Sequence, residues 1–194
     1  MESVLAVIVG IGLAASCGFR VFVPLLVTSV AALAGYLELA EGFKWIGTWT
    51  AFAAFAVAAS LEIAAYYIPW LDNLLDTIAT PMGVVAGVIL FAASVTELDP
   101  FLHWSLAIIA GGGSAGIVQG GTVVTRAVST TTTGGMANFA VSTLETGAGF
   151  IFSVMSIVVP LLALALLLAL IGCMYYFGRQ VIAKLVSRKD KASP

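Results

Sequence analysis

Charge is what this chain has least of. Aspartate, glutamate, lysine and arginine make up 9% of the residues, against roughly a quarter in an ordinary soluble domain, and so low a content excludes a water-soluble globule. The formal net charge of −2 gives no footing for nucleic acid. Histidine and cysteine are equally scarce, at one and two residues. Cys17 and Cys173 lie in apolar segments without CxxC spacing, and His103 stands alone beside Trp104. No metal-ligand spacing, no Ser-His pair and no histidine–carboxylate cluster can be assembled from this inventory, so a non-enzyme with neither metal nor cofactor is expected.

Apolar sequence fills the space that charge leaves. Hydrophobic residues are 61% of the chain and mean hydropathy is +1.10. Crossing a bilayer core of about 30 Å takes about 20 residues as helix. The expected fold class is therefore all-α: a polytopic integral membrane protein of five to six transmembrane helices. One membrane domain covers 1–178, with halves of about 1–97 and 101–178, followed by a basic tail at 179–194.

Val4 to about Ala34 is apolar throughout except for Arg20, and is either one tilted helix or two pieces broken near Pro24. Its start resembles a signal peptide, yet the leading residues hold Glu2 and no basic residue, which favours a retained span. A second span runs from about Ile46 to Tyr67. The stretch from Pro69 to Pro81 sets Trp70, Leu71, Leu74, Leu75 and Ile78 against Asp72, Asn73 and Asp76, the pattern of an interfacial helix or short re-entrant piece with a solvated acidic face. Met82 to Thr96 reads as a short third span, and a fourth starts at Phe101. Gly120 to Thr146, rich in Thr, Ser and Gly, must be buried, line a cavity or leave the membrane. It makes a crossing of its own or dips and returns. Gly147 to Phe177 forms the last span, interrupted by Pro160. Arg179, Lys184, Arg188, Lys189 and Lys191 place the C-terminus in the cytoplasm.

Two arginines lie inside these apolar stretches, at matching places of an internal repeat. Gly10-Ile-Gly-Leu-Ala-Ala-Ser-Cys-Gly-Phe-Arg20 aligns without a gap on Gly116-Ile-Val-Gln-Gly-Gly-Thr-Val-Val-Thr-Arg126. The copies fall in the first and fourth spans and should run in opposite directions, as in an inverted-topology repeat with broken or re-entrant helices. Arginine within a bilayer is costly, so both should face a protein interior or wet cavity. Helical spacing puts Ser16 on the face of Arg20, and Thr122 and Gln119 on that of Arg126. Ser129, Thr130 and Thr133 continue the second stripe, and Asn138 lies in the same polar segment. Glu62 and Glu145 offer each half one acid as a partner for its arginine. The ladders Gly10, Ala14, Gly18 and Gly112, Gly116, Gly120 are small-residue surfaces on which the two copies would cross.

Each feature also has a plainer explanation. The arginines and acids would pair only to fix packing, and the Thr hydroxyls would bond carbonyls one turn back. His103 would be interfacial, and the basic tail would be an orientation signal with weak attraction to anionic lipid.

The stretch Cys17-Gly-Phe-Arg-Val-Phe-Val-Pro-Leu-Leu26, with Gly120-Gly-Thr-Val-Val-Thr-Arg126 and the Ser/Thr run after it, resembles the bacterial membrane family known as domain of unknown function 4126. The resemblance covers most of the chain up to the tail. It implies a small bacterial inner-membrane protein and names no substrate or catalytic residue.

The function expected from the residues is that of a small transporter or channel. An anionic small molecule or a phospholipid head group would be held at a midplane site by Arg20, Arg126, Ser16, Thr122, Gln119, Glu62, Glu145 and Asn138. The alternative is a structural or assembly protein that forms a homo-oligomer or organises lipid or a partner complex.

Overall fold

The computed structural model describes residues 2–190, without the side chains of 2, 69–76, 177, 178 and 180–190. It is 84% helix, with no strand among the described residues, so the all-helical class stands. The helices are α1 (Glu2–Ser16), α2 (Phe22–Leu33), α3 (Trp49–Ala65), α4 (Pro69–Ser94), α5 (Pro100–Leu106), α6 (Gly113–Thr133), α7 (Asn138–Val158) and α8 (Pro160–Asp190). A 3-10 turn, Glu41–Gly47, precedes α3, and a π-helical stretch, Ala107–Gly112, joins α5 to α6 without interruption.

Local chemistry sets the helix ends. Thr48 caps α3 by accepting from the Ala51 amide at 3.2 Å, and Asp99 caps α5 by accepting from Phe101 at 3.0 Å with Pro100 behind it. Gly134 closes α6 in the left-handed conformation, φ +64°, which suits a residue without Cβ. Pro160 stops α7, because a proline has no amide to continue its ladder.

The first apolar run is broken at 17–21, one turn before the proline. A helix continuing from α1 would need the amide of residue 24 to bond the carbonyl of Arg20, and Pro24 has none. Placed instead in the first turn of α2, where amides have no intrahelical partner, Pro24 is tolerated. The break therefore falls upstream of where the proline itself suggested it.

Both arms of this broken run return to one end of the molecule. Ser3, Val9, Leu37, Glu38, Glu97 and Pro160 surround a single cavity of about 420 Å³ at that end, called the base here. At the opposite end lie the α6–α7 turn and Tyr67, whose ring packs tilted against Phe139 at 4.7 Å between centroids and whose hydroxyl is 3.1 Å from that of Thr143. Thus α1 rises from the base, stops at the break, and α2 descends again. The run is a re-entrant pair of helices, where a crossing was expected.

This changes the relation of the repeat copies. Ser114 donates to the Ile11 carbonyl and Thr122 to that of Gly18, both at 3.5 Å, so numbering rises together along α1 and α6. The two helices are parallel, and the expected inverted repeat is not what the structure contains. The physical reason is the turn at 17–21, which adds a reversal that the count of connections omitted.

Three helices are long and apolar enough to cross a membrane (Thr77–Ser94, Pro100–Thr133 and Asn138–Val158), or four if the 3-10 turn and α3, bent by 64°, form one span. That is fewer than five to six. Ser3–Ser16, Phe22–Leu33 and Pro160–Tyr176 are apolar but shorter. Pro69 to Pro81 makes no separate interfacial piece, since α4 runs through Pro81. The expected solvated face of Asp72 and Asp76 lies outside the described side chains, as does the basic tail at 180–194. The stretch from Gly120 to Thr146 neither crosses alone nor dips back. It is the tip of a helical hairpin made by the end of α6 and the start of α7. The last run likewise splits at Val159 into α7 and α8, which fold back on each other: Leu144 and Ala148 share a cavity wall with Leu170 and Met174.

Helix α1 is the axis of the bundle, with Leu13 to Cys17 fully buried. Lipid is as apolar as leucine, so close fit rather than water exclusion holds such helices together. A Cβ built on Gly87 would lie 2.6 Å from the Cβ of Ala115, one on Gly111 2.7 Å from the Cβ of Phe91, and one on Gly18 2.5 Å from the Ala115 carbonyl oxygen. The expected ladders are used differently from their prediction. Gly10 faces Phe91 and Gly112 and Gly116 face Val84, all on α4, while Gly120 has open space beside it. At Gly18 the first ladder meets Ala115, Val118 and Gln119 of α6 as expected, and elsewhere helix α4 takes the place that the second copy was to have filled, bringing Gly83 and Gly87 as its own small-residue ladder.

Candidate functional site

Arg20 sits in the break between α1 and α2, 2% exposed. Ending α1 at Ser16 frees the following residues from helical geometry. The new N-terminus of α2 would leave bare amides in an apolar interior. Glu62 of α3 covers them: its carboxylate accepts from the Val21 amide at 2.8 Å and the Phe22 amide at 3.0 Å. A carboxylate at a helix N-terminus is favoured by both hydrogen bonding and the helix dipole. Glu62 therefore holds the break in shape and is not the hydrogen-bonded partner of an arginine.

Held this way, the Arg20 side chain reaches α7. Its Nε donates to the Thr146 hydroxyl at 3.0 Å and its Nη2 to the Ser142 carbonyl at 3.0 Å, while Nη1 lies 3.7 Å from the Glu145 carboxylate. Arg126 arrives from α6, where Gln119, Thr122, Arg126 and Ser129 form one buried face as the helical spacing predicts. Its Nε donates to both oxygens of Glu145 at 3.2 and 3.1 Å, and its Nη2 donates to the same carboxylate and to the Ser142 hydroxyl at 3.3 Å. Both guanidinium groups lie over the ring of buried Tyr66, 3.8 Å and 4.2 Å from its centroid. A cation over an aromatic face is attracted to it, the more so away from water.

The two arginines thus meet, as their matched positions suggested, around one carboxylate and one aromatic ring. The expected sharing of acids was different. Glu145 faces both arginines, tightly for Arg126 and loosely for Arg20, and Glu62 is occupied by α2. Both guanidinium groups, the Glu145 carboxylate and the Tyr66 ring are thus in contact.

Of the other expected site residues, none joins this cluster. Ser16 donates to the Leu13 carbonyl and accepts from Ser153 at 2.9 Å, facing α7 a turn away, because the shared face with Arg20 required the helix that stops there. Thr122 bonds Gln119 and Gly18 carbonyls at 2.8 and 3.5 Å, and Gln119 lies toward Gly83. Asn138 donates to Thr130 at 3.0 Å in the α6–α7 turn. Seven residues of helix, about 10 Å, separate it from Glu145. The same measure puts the cluster about a third of the way down α7, on the hairpin-tip side of the helix's middle. Most of the Thr run follows the plainer explanation: Thr125, Thr131, Thr132 and Thr133 donate to carbonyls one turn back. Ser129 does not. Buried one turn beyond Arg126, its hydroxyl has no hydrogen-bond partner.

Tyr66, Ser142 and Thr146 were missed. The spacing Ser142, Glu145, Thr146 repeats at three and four residues and was a readable signal for a polar face on α7. Tyr66 stands four residues after Glu62, on the same helical face. Among the described residues, no group of three or more His, Cys, Asp or Glu is placed to hold a metal ion.

Nothing among curated proteins or solved structures matches the chain. A family profile does, that of "Domain of unknown function (DUF4126)", over residues 7–180. The match takes in the re-entrant pair, both arginines and the acid between them, and the chain belongs to that family.

Proposed function

We propose that this is a small membrane transporter that binds an anionic group at Arg20 and Arg126. The observation that supports the reading is the convergence of two buried guanidinium groups on Glu145 and the Tyr66 ring. Two cations held this close repel each other in a low-dielectric interior, and an incoming phosphate or carboxylate offsets that repulsion. Arg20 is the group to receive it: its Nη1 is 3.7 Å from Glu145, beyond hydrogen-bonding distance. Arginine grips such anions through two parallel N–H donors. The unpartnered hydroxyl of Ser129 adds a nearby donor. Glu145 then serves as the resident counter-ion that keeps the cations in place when no anion is bound.

The setting supports a bacterial inner membrane. With the basic tail in the cytoplasm, the base, where both arms of the re-entrant pair begin and end, faces the other side, together with exposed Tyr36, Trp45, Trp49 and Trp104 as an interfacial belt. The cluster lies closer to the cytoplasmic face. The residue inventory favours no catalytic chemistry. A structural role is the second reading, favoured by the close Arg126–Glu145 contact, which is what a packing ion pair would look like.

A thermal-shift series on purified protein separates the two. Phosphate and short carboxylates are expected to raise the melting temperature of the wild type and not of Arg20→Gln. A wild type that no anion stabilises leaves the structural reading in possession of the site.

A further inference from the structure

A groove of about 340 Å³ runs between α2, α3 and α7 on the outer side of the bundle. The turn at 17–21 creates it: α2 descends beside α7 in the same direction, so both helices lead from the level of the break to the base. The wall is apolar along the eight residues from Val23 to Ala31, about 12 Å of helix rise. Its mouth is open to the surroundings, where Val30 is 46% and Phe150 54% exposed. At the lower end Tyr36, Ile157 and Val158 line both the groove and the cavity at the base, so the two spaces are continuous. There the chemistry changes. Glu38 and Glu97 line the base cavity, and among the described residues no basic side chain does. Lys44, the nearest basic residue in the chain to Glu38, is 2.5 Å from Glu41 and stands outside the cavity, which leaves Glu38 and Glu97 without an ion pair among the described residues.

We propose that the groove and the base cavity together bind a cationic amphiphile, a linear alkyl chain that carries one ammonium group. The chain lies along Val23, Val27, Phe150 and Val154, and the ammonium rests between Glu38 and Glu97. Charge complementarity selects this class. Two carboxylates with no cation of their own attract an ammonium and repel the phosphate of an anionic phospholipid, whose chain would suit the groove but whose head would not suit the cavity. Tyr36 adds a third contact. Its ring stands at the junction of the two spaces, 81% exposed, and an aromatic face is a seat for an alkylated ammonium. A small water-soluble amine would use only the cavity and an uncharged lipid only the groove. An apolar hollow with a few polar groups gathered at one end is filled by a molecule built the same way. The site is at the base, and its lining includes neither arginine, so it stands independently of the anion reading.

Native mass spectrometry of the full-length protein, released from a neutral maltoside detergent, tests this with three probes: dodecyltrimethylammonium, dodecyldimethylamine oxide (the same chain without net charge) and tetramethylammonium (the head alone). The wild type is expected to bind dodecyltrimethylammonium at least about tenfold more tightly than either of the others. The double variant Glu38→Gln with Glu97→Gln, both at exposed positions, should lose the preference for the ammonium over the amine oxide. Val154→Phe, which fills the groove, should weaken dodecyltrimethylammonium binding about tenfold, and Val27→Phe does the same from the facing helix should the first variant fail to fold. Equal affinity of the wild type for the ammonium and the amine oxide, a preference that survives in the double variant, or binding undiminished in the filled variants overturns the proposal. So does a wild type that binds none of the probes. The response to phosphate is read separately, so neither site's failure is mistaken for the other's.

Discussion

Gly10 to Arg20 and Gly116 to Arg126 share a pattern of residues and differ in almost everything built from it. The first ends a helix and delivers its arginine from a break; the second stays helical, with its arginine on the buried face of α6. The difference lies downstream of the repeat. Pro24 follows Arg20 by four residues and disfavours a helix that continues through it, while Arg126 is followed by Ala-Val-Ser-Thr, which does not. Arg126 is thus placed by helical geometry alone, and Arg20 by a carboxylate borrowed from α3. What the copies hold in common is their destination at Glu145.

Removing that shared point should have the largest effect. Glu145→Ala removes the carboxylate that both buried cations contact and is expected to cost about 3–5 kcal/mol, seen as loss of monodisperse protein or a large fall in melting temperature. A variant as stable as the wild type would mean that the arginines do not depend on the acid. Next comes the contrast between the arginines themselves. Arg126→Gln strips Glu145 of its close partner and should cost about 3 kcal/mol. Arg20→Gln removes two hydrogen bonds and a long ion pair, and about 1–2 kcal/mol is expected. The reverse order in thermal unfolding would break the comparison drawn here.

Glu62→Gln sharpens it, because only the first copy uses that residue. A loss of about 1 kcal/mol is expected, with faster amide hydrogen exchange at Val21 and Phe22 and unchanged exchange along α6. Faster exchange in both segments would show that the cap is not local. The smallest effect belongs to Thr131→Ala, in the Thr run beyond Arg126. Its hydroxyl bonds the Ala127 carbonyl at 2.9 Å and is exposed, so stability should stay within about 0.5 kcal/mol of the wild type.

Composition made the helical class and the membrane setting legible, and the cost of buried charge pointed to Arg20 and Arg126 before any contact was known. Helical periodicity was reliable where the helix persisted, as for Gln119, Thr122 and Arg126, and misled where it stopped, as for Ser16. Hydropathy alone could not reveal that α1 and α2 turn back, since a run of apolar residues reads alike whether it crosses or returns. That ambiguity accounts for one of the surplus spans and for the inverted repeat. Tyr66 escaped notice because its role depends on where α3 ends relative to α7, a long-range fact that no local spacing carries.

The central claim is that Glu145 serves both arginines until an anion replaces it. Solid-state NMR dephasing between the Glu145 carboxylate carbon and guanidinium nitrogens measures this directly, before and after saturation with a phosphate-bearing ligand. The account predicts strong coupling without ligand, and with it a weakened coupling together with phosphorus–nitrogen contact at the guanidinium groups. A carboxylate that holds its arginines unchanged while the ligand binds elsewhere would contradict it.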